Sequence, residues 1–96
     1  MIAFTIKGKI DRCMNVGEGG YRFIIKNGYF GDEYVINTSQ PKMYSMAEDA
    51  MELGYEVEVL TSLRGNRAHR GDKPKSYWLI AEHLQVIKPK PVDIQL

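Results

Sequence analysis

The chain is short of the residues that build disulfide frameworks, metal centres and membrane spans. Its 96 residues include one cysteine, Cys13, and two histidines, His69 and His83. One thiol cannot form an internal disulfide, and these three side chains are too few for a typical zinc site. No apolar run approaches the roughly eighteen residues that a membrane helix needs. We therefore expect no structural metal, no cofactor and no membrane span.

Groups that support catalysis are also scarce. His69 lies among cations that disfavour a protonated imidazole, and His83 has no acid or nucleophile paired with it. The adjacent acids Asp32-Glu33 and Glu48-Asp49 do not converge on one point of a strand or helix, so they lack the geometry of a paired-carboxylate site. The glycine-rich segment 17–20 precedes a strand and not a helix, unlike a phosphate-binding loop. We expect the protein not to be an enzyme.

Length and composition predict one small globular domain. The hydrophobic fraction of 44% is ordinary, and 96 residues suffice for a single core. Residues 1–10 alternate between apolar and polar side chains and lack the basic flank and apolar block of a signal peptide. We expect a cytoplasmic location, which is the host cytoplasm if the protein is viral. The domain is assigned to residues 1–88 and a short C-terminal tail to 89–96.

The first part of the chain alternates with the period of β-strands. Strands are predicted over 4–10, 21–26 and 33–38, separated by turns that contain glycine. In the first strand Lys7 and Lys9 share the outward face, while Gly8 falls in the inward set, where a glycine allows a bend or a close backbone approach. Tyr21 and Phe23 share a side with Ile25 and suit either the core or a stacking surface.

After residue 39 the period changes to that of a helix and then returns to strands. A helix is predicted from Pro41 to a cap at Gly54, with an apolar stripe that packs as the plug of the core. Further strands are predicted over 55–63 and 76–87. In the last strand the alternation places Tyr77 inward and Trp78 outward, although a slip of one residue would reverse both.

Positive charge is concentrated between the last two strands. The segment 64–75 carries five Lys or Arg against one Asp, about +4 with His69 neutral, whereas the whole chain is only +1. Tyr77 and Trp78 follow at once. Cations displace counterions from phosphates and aromatic rings stack on bases of any sequence, which are the two requirements of single-strand binding.

The order of elements and several segments resemble a known family. Three strands, a helix and two strands joined by a long loop are the order of an OB-fold barrel. The segment 4–10, with its glycine at 8, resembles the opening strand of single-stranded DNA-binding proteins; 54–59 and 77–87 are similar to later segments of the same family. The closing strand is also similar to that of primosomal replication protein B. The short tail, whose only acid is Asp93, is closer to compact phage or plasmid members.

These observations predict an all-β protein with one short helix, a five-stranded OB-fold barrel, that binds and protects single-stranded DNA without strong sequence preference during replication or recombination. The cations are expected to contact phosphates, and Trp78, Tyr34 and one of Tyr29 or Phe30 to stack on bases. The predicted cationic contacts are Lys7, Lys9, Arg22, Lys26, Arg64, Arg67, Arg70, Lys73 and Lys75. The basic residues are expected to form one contiguous surface.

The same sequence features predict which partners the protein binds. Self-association to at least a dimer is expected, because strands rich in β-formers offer edges and one barrel contacts few nucleotides. Replication proteins are possible additional partners. The alternative is a small barrel that binds a protein, as an adaptor or inhibitor of a replication or host enzyme, with the basic loop docked on an acidic partner. The near-neutral total charge favours this alternative.

Overall fold

The computed structural model describes residues 2–27, 31–66 and 76–89. It contains five strands and one helix. In chain order they are β1 (Ile2–Gly17), β2 (Gly20–Asn27), β3 (Asp32–Thr38), α1 (Pro41–Leu53), β4 (Glu56–Asn66) and β5 (Ser76–Ile87). The strands close into a barrel in the order β1-β2-β3-β5-β4, with β1 also paired to β4. The protein is therefore a closed five-stranded barrel of the OB-fold kind with one helix, as the sequence predicted.

Strand β1 closes the barrel because it pairs with two neighbours. Its first half runs antiparallel to β4, from Ile2 opposite Leu63 to Lys9 opposite Glu56. Its second half pairs with β2, and Asp11 is an extra residue between the pairs Ile10–Ile25 and Arg12–Ile24. Such a bulge bends a strand and increases its twist. The strand therefore runs seven residues past the predicted end at residue 10, up to Gly17.

Gly8 permits the bend of β1. A Cβ atom placed on Gly8 would lie 2.6 Å from the carbonyl oxygen of Lys26 and 2.7 Å from Cγ2 of Ile25. Both distances are shorter than a real Cβ contact, and one of the two atoms belongs to the backbone of β2. The predicted close approach at Gly8 is confirmed.

The core fills the barrel from the inward faces of the strands and from one face of α1. Its fully buried members include Phe23, Ile25, Ile36, Val57 and Val59. The helix contributes a buried stripe of small and flexible side chains at its end of the barrel, Met43, Ala47 and Ala50. Pro41 begins the helix and Gly54 ends it in the left-handed conformation, with φ of 70°. The helix bounds and stripe predicted from the sequence are confirmed.

Two aromatic residues left open by the sequence are now placed. Phe23 is completely buried in the core. Tyr21 is half-buried and stacks on Tyr44 of α1, with ring centroids 4.5 Å apart and an interplanar angle of 21°. Both rings therefore join the strands to the core and the helix rather than to an exposed binding surface.

Replacing Gly8 by Ala is expected to lower the free energy of unfolding by about 1–3 kcal/mol, because the new methyl group forces β1 away from the β2 backbone. Urea unfolding followed by circular dichroism measures the change. Thr5→Ala, an exposed position in the same strand, is the control and should cost under about 0.5 kcal/mol. A Gly8→Ala protein as stable as the control would show that the close approach is not required.

Candidate nucleic-acid interface

A cleft opens on the barrel where β3 and β5 separate. In the described part of these strands, backbone pairing consists of Ile36 with Leu79 and Asn37 with Ile80. Strand β5 continues to pair with β4 beyond this point, as far as Ser76 opposite Asn66. The space between the diverging strands, called here the β3–β5 cleft, has a volume of about 420 Å³. Its lining residues are Arg22, Val35, Asn37, Tyr77, Trp78 and Leu79.

A chain of polar contacts holds Arg22 over the ring of Trp78. The Nε of Arg22 donates a hydrogen bond to Oδ1 of Asn37 at 3.1 Å, and Nδ2 of Asn37 donates to the carbonyl oxygen of Leu79 at 3.2 Å. The guanidinium carbon lies 5.9 Å from the centroid of the Trp78 ring, within the range of a cation–π contact. Arg22 and Trp78, predicted separately from the sequence, are thus adjacent in the structure.

Large apolar side chains in the cleft are exposed to solvent. The exposed fractions are 41% for Val35, 63% for Tyr77 and 38% for Trp78. The predicted outward orientation of Trp78 is confirmed. The inward assignment of Tyr77 is wrong, because the β4–β5 hairpin extends past the closed barrel and Tyr77 lies opposite Gly65, which has no side chain to cover it. Two neighbouring rings of β5 are therefore accessible to a ligand.

Arg64 adds a second cation beside the cleft. It lies opposite Trp78 in the β4–β5 register and its side chain is 66% exposed. Its Nη2 lies 3.8 Å from Oε1 of Glu82, which also accepts a hydrogen bond of 2.6 Å from the hydroxyl of Ser62. An exposed ion pair of this length is weak, so the guanidinium can exchange Glu82 for another anion at little cost.

The predicted lysines form a separate group. Lys7, Lys9 and Lys26 line a shallow depression of about 460 Å³ with Glu56, at the bend of β1 near Gly8. Cross-strand neighbours of opposite charge face two of them, with Lys7 opposite Glu58 and Lys9 opposite Glu56. The depression therefore carries mixed charge.

Lys26 belongs to a four-residue ion network. Its Nζ lies 3.6 Å from Asp11 and 3.7 Å from Glu33, and Arg12 contacts the same two carboxylates at 3.2 and 3.5 Å. Acids therefore interrupt the part of the expected basic surface that contains Lys7, Lys9 and Lys26. Its continuation through the segment 64–75 stays a prediction. Alternation along single strands reveals which lysines face outward but not which acids of the neighbouring strand lie beside them.

Tyr34 does not share the face of Trp78. It is half-buried, packs against the core and lines a different opening, at the end of the barrel away from α1. Tyr34 and Trp78 therefore lie on different surfaces, since Tyr34 belongs to the inward set of β3 together with Ile36. The prediction that Tyr34 stacks on a base stays a prediction. Its outward neighbour in the strand is Val35.

Six further predicted site residues lie outside the described part of the chain. They are Tyr29, Phe30, Arg67, Arg70, Lys73 and Lys75. Their predicted roles stay predictions. Of the basic segment 64–75, the side chain of Arg64 is described.

Asn37 and Arg12 were not among the residues predicted from the sequence. Asn37 shares the outward face of β3 with Val35 and is paired with Arg22 in the β2–β3 register. A polar residue directly opposite an arginine in a predicted hairpin was the available signal. Arg12 was missed because the predicted first strand ended before it.

The remaining reactive groups do not form a second site in the described residues. Burial, reinforced by the carboxylate of Glu48, raises the pKa of the Cys13 thiol from 9.0 to about 11, so the thiol stays neutral and weakly nucleophilic at pH 7. Across ranges 2–27, 31–66 and 76–89, no group of three His, Cys, Asp or Glu side chains is arranged to hold a metal ion. Within the same ranges no helix has the length and apolar character to cross a membrane.

Comparison with protein-family models and with curated proteins finds no match for this chain.

Changing Asn37 to Ala is expected to release Arg22 from Trp78, because both hydrogen bonds of the amide are lost. The emission maximum of Trp78, the only tryptophan, should move to longer wavelength, as it should in Arg22→Ala. The free energy of unfolding should fall by about 0.5–1.5 kcal/mol. Arg12→Ala, an exposed arginine of the ion network, is the control. Emission that is the same in all three variants would contradict the Arg22–Asn37–Trp78 arrangement.

Proposed function

We propose that this protein binds single-stranded DNA in the β3–β5 cleft without strong sequence preference and protects it during replication or recombination. Bases would stack on Trp78 and Tyr77, and phosphates would contact Arg22 and Arg64. The basic segment that follows Arg64 would add further phosphate contacts. Binding of this kind requires no reaction, and we propose that the protein is not an enzyme.

The observation that carries the proposal is the placement of an arginine over an accessible tryptophan. Trp78 presents a ring that is 38% exposed, next to a tyrosine that is 63% exposed, on the outside of a closed barrel. Exposed rings on a rigid strand lose little conformational entropy when a base stacks on them. Arg22 provides a charge within reach of the phosphate that accompanies such a base.

Carboxylates that lie beside the cations weaken the attraction between those cations and phosphate groups. Glu82 competes for Arg64, and Asp11 and Glu33 compete for Arg12 and Lys26. A phosphate that approaches these cations must replace a carboxylate or share the cation with it. We therefore expect the affinity to fall as salt rises, in proportion to the number of phosphate contacts, and to be raised by removing the acid nearest the cleft.

Self-association is part of the proposal, for a changed reason. In the closed barrel each strand has two neighbours, and the unpaired edges of β3 and β5 face the cleft, so an edge-to-edge contact is no longer the main reason to expect a dimer. The remaining reason is avidity, since one small barrel contacts few nucleotides. Light scattering at tens of micromolar measures it, and a species of 11.0 kDa alone would contradict it.

A second candidate function is recognition of a protein strand, as in an adaptor or inhibitor. It is favoured by the backbone edges of β3 and β5 that face the cleft where their mutual pairing stops. An extended peptide can add to such an edge. Oligonucleotide titration separates the two candidates, because a peptide-binding cleft has no reason to bind a phosphate backbone.

Titration with an oligothymidylate should quench the emission of Trp78, with an affinity that falls as salt rises. Trp78→Ala is expected to cost about 1–3 kcal/mol of binding free energy through lost stacking. Arg22→Ala is expected to lower the slope of log K against log salt by roughly 0.7, the value for one phosphate contact on a single strand. Fluorescence anisotropy of a labelled oligonucleotide measures both variants.

Leu60→Ala is the matched control, because Leu60 is 43% exposed on β4 and lies outside the cleft lining. Its affinity and salt slope should equal those of the unchanged protein. Equal loss of binding in Leu60→Ala and Trp78→Ala would contradict a specific role for the cleft, and no binding by the unchanged protein would refute the function.

Substitutions of Glu82 and of Arg64 should change the affinity for single-stranded DNA in opposite directions. Arg64→Ala removes a cation and should weaken binding. Glu82→Gln frees Arg64, removes a negative charge and keeps an acceptor for Ser62, so it should tighten binding about two- to fivefold, equivalent to roughly 0.4–1 kcal/mol. The difference between the variants should shrink at high salt. Weaker binding in Glu82→Gln would show that this ion pair is not a competitor for phosphate.

A further inference from the structure

The end of the barrel away from the helix contains an apolar opening that the proposed function does not use. Its volume is about 290 Å³. The helix packs on the start of β2 through the stack of Tyr44 on Tyr21, whereas this opening includes Asn27 at the end of β2. The residues that line this opening, called here the barrel mouth, are Phe4, Thr5, Ile6, Asn27, Tyr34 and Leu79.

The lining has the chemistry of a site for a neutral planar ring. Phe4 is 46% exposed at the rim, and Tyr34 is half-buried against the core. Ile6 and Leu79 provide aliphatic surface, and among the lining residues that the structure describes none carries a charge. The polar groups are the Asn27 amide and the hydroxyls of Thr5 and Tyr34. Such a lining disfavours a phosphate or a charged side chain and favours a ring with hydrogen-bonding groups on its edge.

The size of the mouth limits its occupant. Small-molecule sites commonly have volumes of about 300–1,000 Å³, so 290 Å³ accommodates one ring system and excludes a folded peptide segment. The mouth also adjoins the β3–β5 cleft, because Leu79 lines both openings. Tyr34 and Val35 are consecutive residues of β3, with Tyr34 lining the mouth and Val35 lining the cleft.

We propose that the barrel mouth is a second subsite that takes one unpaired nucleobase, inserted between Phe4 and Tyr34 while its sugar and phosphate stay outside. This proposal rests on the proposed function for its source of bases. It adds that the strand is held by one inserted base as well as by bases stacked in the cleft. The insertion contributes apolar burial and stacking without a phosphate contact.

The Phe4 side chain can be removed with little damage to the strand. The Phe4 carbonyl oxygen accepts a hydrogen bond of 2.9 Å from the buried side-chain hydroxyl of Thr61, and the Phe4 side chain takes no part in that bond. Phe4→Ala therefore keeps β1 in register with β4. Ile2→Ala is the matched control, since Ile2 is also apolar and exposed, at 59%, in the same strand but lies outside the mouth lining.

The first measurement uses free thymidine and adenosine with protein labelled at the isoleucine δ1-methyl groups. Ile6 lies in the mouth and Ile80 lies on the outward face of β5 beside Asn37. A nucleoside in the mouth should shift the Ile6 methyl signal through the ring current and leave that of Ile80 unchanged. Phe4→Ala should weaken the nucleoside affinity at least fivefold, and Ile2→Ala should not change it.

The second measurement is the affinity for an oligothymidylate at two salt concentrations. Phe4→Ala should weaken it about five- to tenfold with an unchanged salt slope, unlike a variant that loses a phosphate contact. Circular dichroism confirms that both variants are folded.

The outcomes distinguish failure of the mouth proposal from failure of the proposed function. If the oligonucleotide binds and quenches Trp78 while nucleosides leave Ile6 unshifted and Phe4→Ala binds normally, the mouth proposal is overturned and the function stands. If nucleosides bind in the mouth but no oligonucleotide binds, the subsite stands and single-strand binding fails. Nuclear Overhauser contacts from Ile6 to Tyr29 or Phe30 in the free protein, with no nucleoside shift, would show that the chain fills its own mouth and would overturn the proposal.

Discussion

The barrel can close because β1 approaches the backbone of β2 closely at Gly8. The 2.6 Å from a Cβ at this position to the Lys26 carbonyl leaves room for hydrogen alone, and the extra residue Asp11 turns the strand just beyond it. Because β1 can bend here, its two halves pair with different neighbours and the sheet closes. Closure fixes the register of every strand, and the register determines which side chains face the solvent.

The candidate site exists because β5 pairs with β4 over more residues than it pairs with β3. The β4–β5 hairpin is longer than its contact with β3, so β5 leaves the barrel with Trp78 and Tyr77 accessible on it. Asn37 lies at the end of the β3–β5 pairing and joins the strands through its side chain, with Arg22 on one side and the Leu79 carbonyl on the other. The same separation of strands adjoins the mouth. Both proposed subsites are therefore consequences of one feature of the fold.

Much of the fold was predictable because the spacing of apolar residues along the chain indicates whether a segment is a strand or a helix. The helix bounds and the outward orientation of Trp78 follow from short-range alternation and capping, and both were confirmed. The errors concern relations between strands. The environment of Lys26 depends on Asp11 at a bulge and on Glu33 of β3, and the exposure of Tyr77 depends on how far a hairpin extends past the barrel. The alternation of a single strand predicts neither the acids beside Lys26 nor the length of the β4–β5 hairpin.

Chemical-shift mapping shows whether the β3–β5 cleft is the site that binds single-stranded DNA. On addition of an oligothymidylate to uniformly labelled protein, the largest shifts should be those of the Trp78 indole N–H, the Arg22 Nε–H and the Asn37 side-chain amide. These three groups are joined in one set of contacts, so they should move together along one binding curve. Shifts confined to the lysine depression around Lys7 and Lys9, or no shifts, would contradict the account.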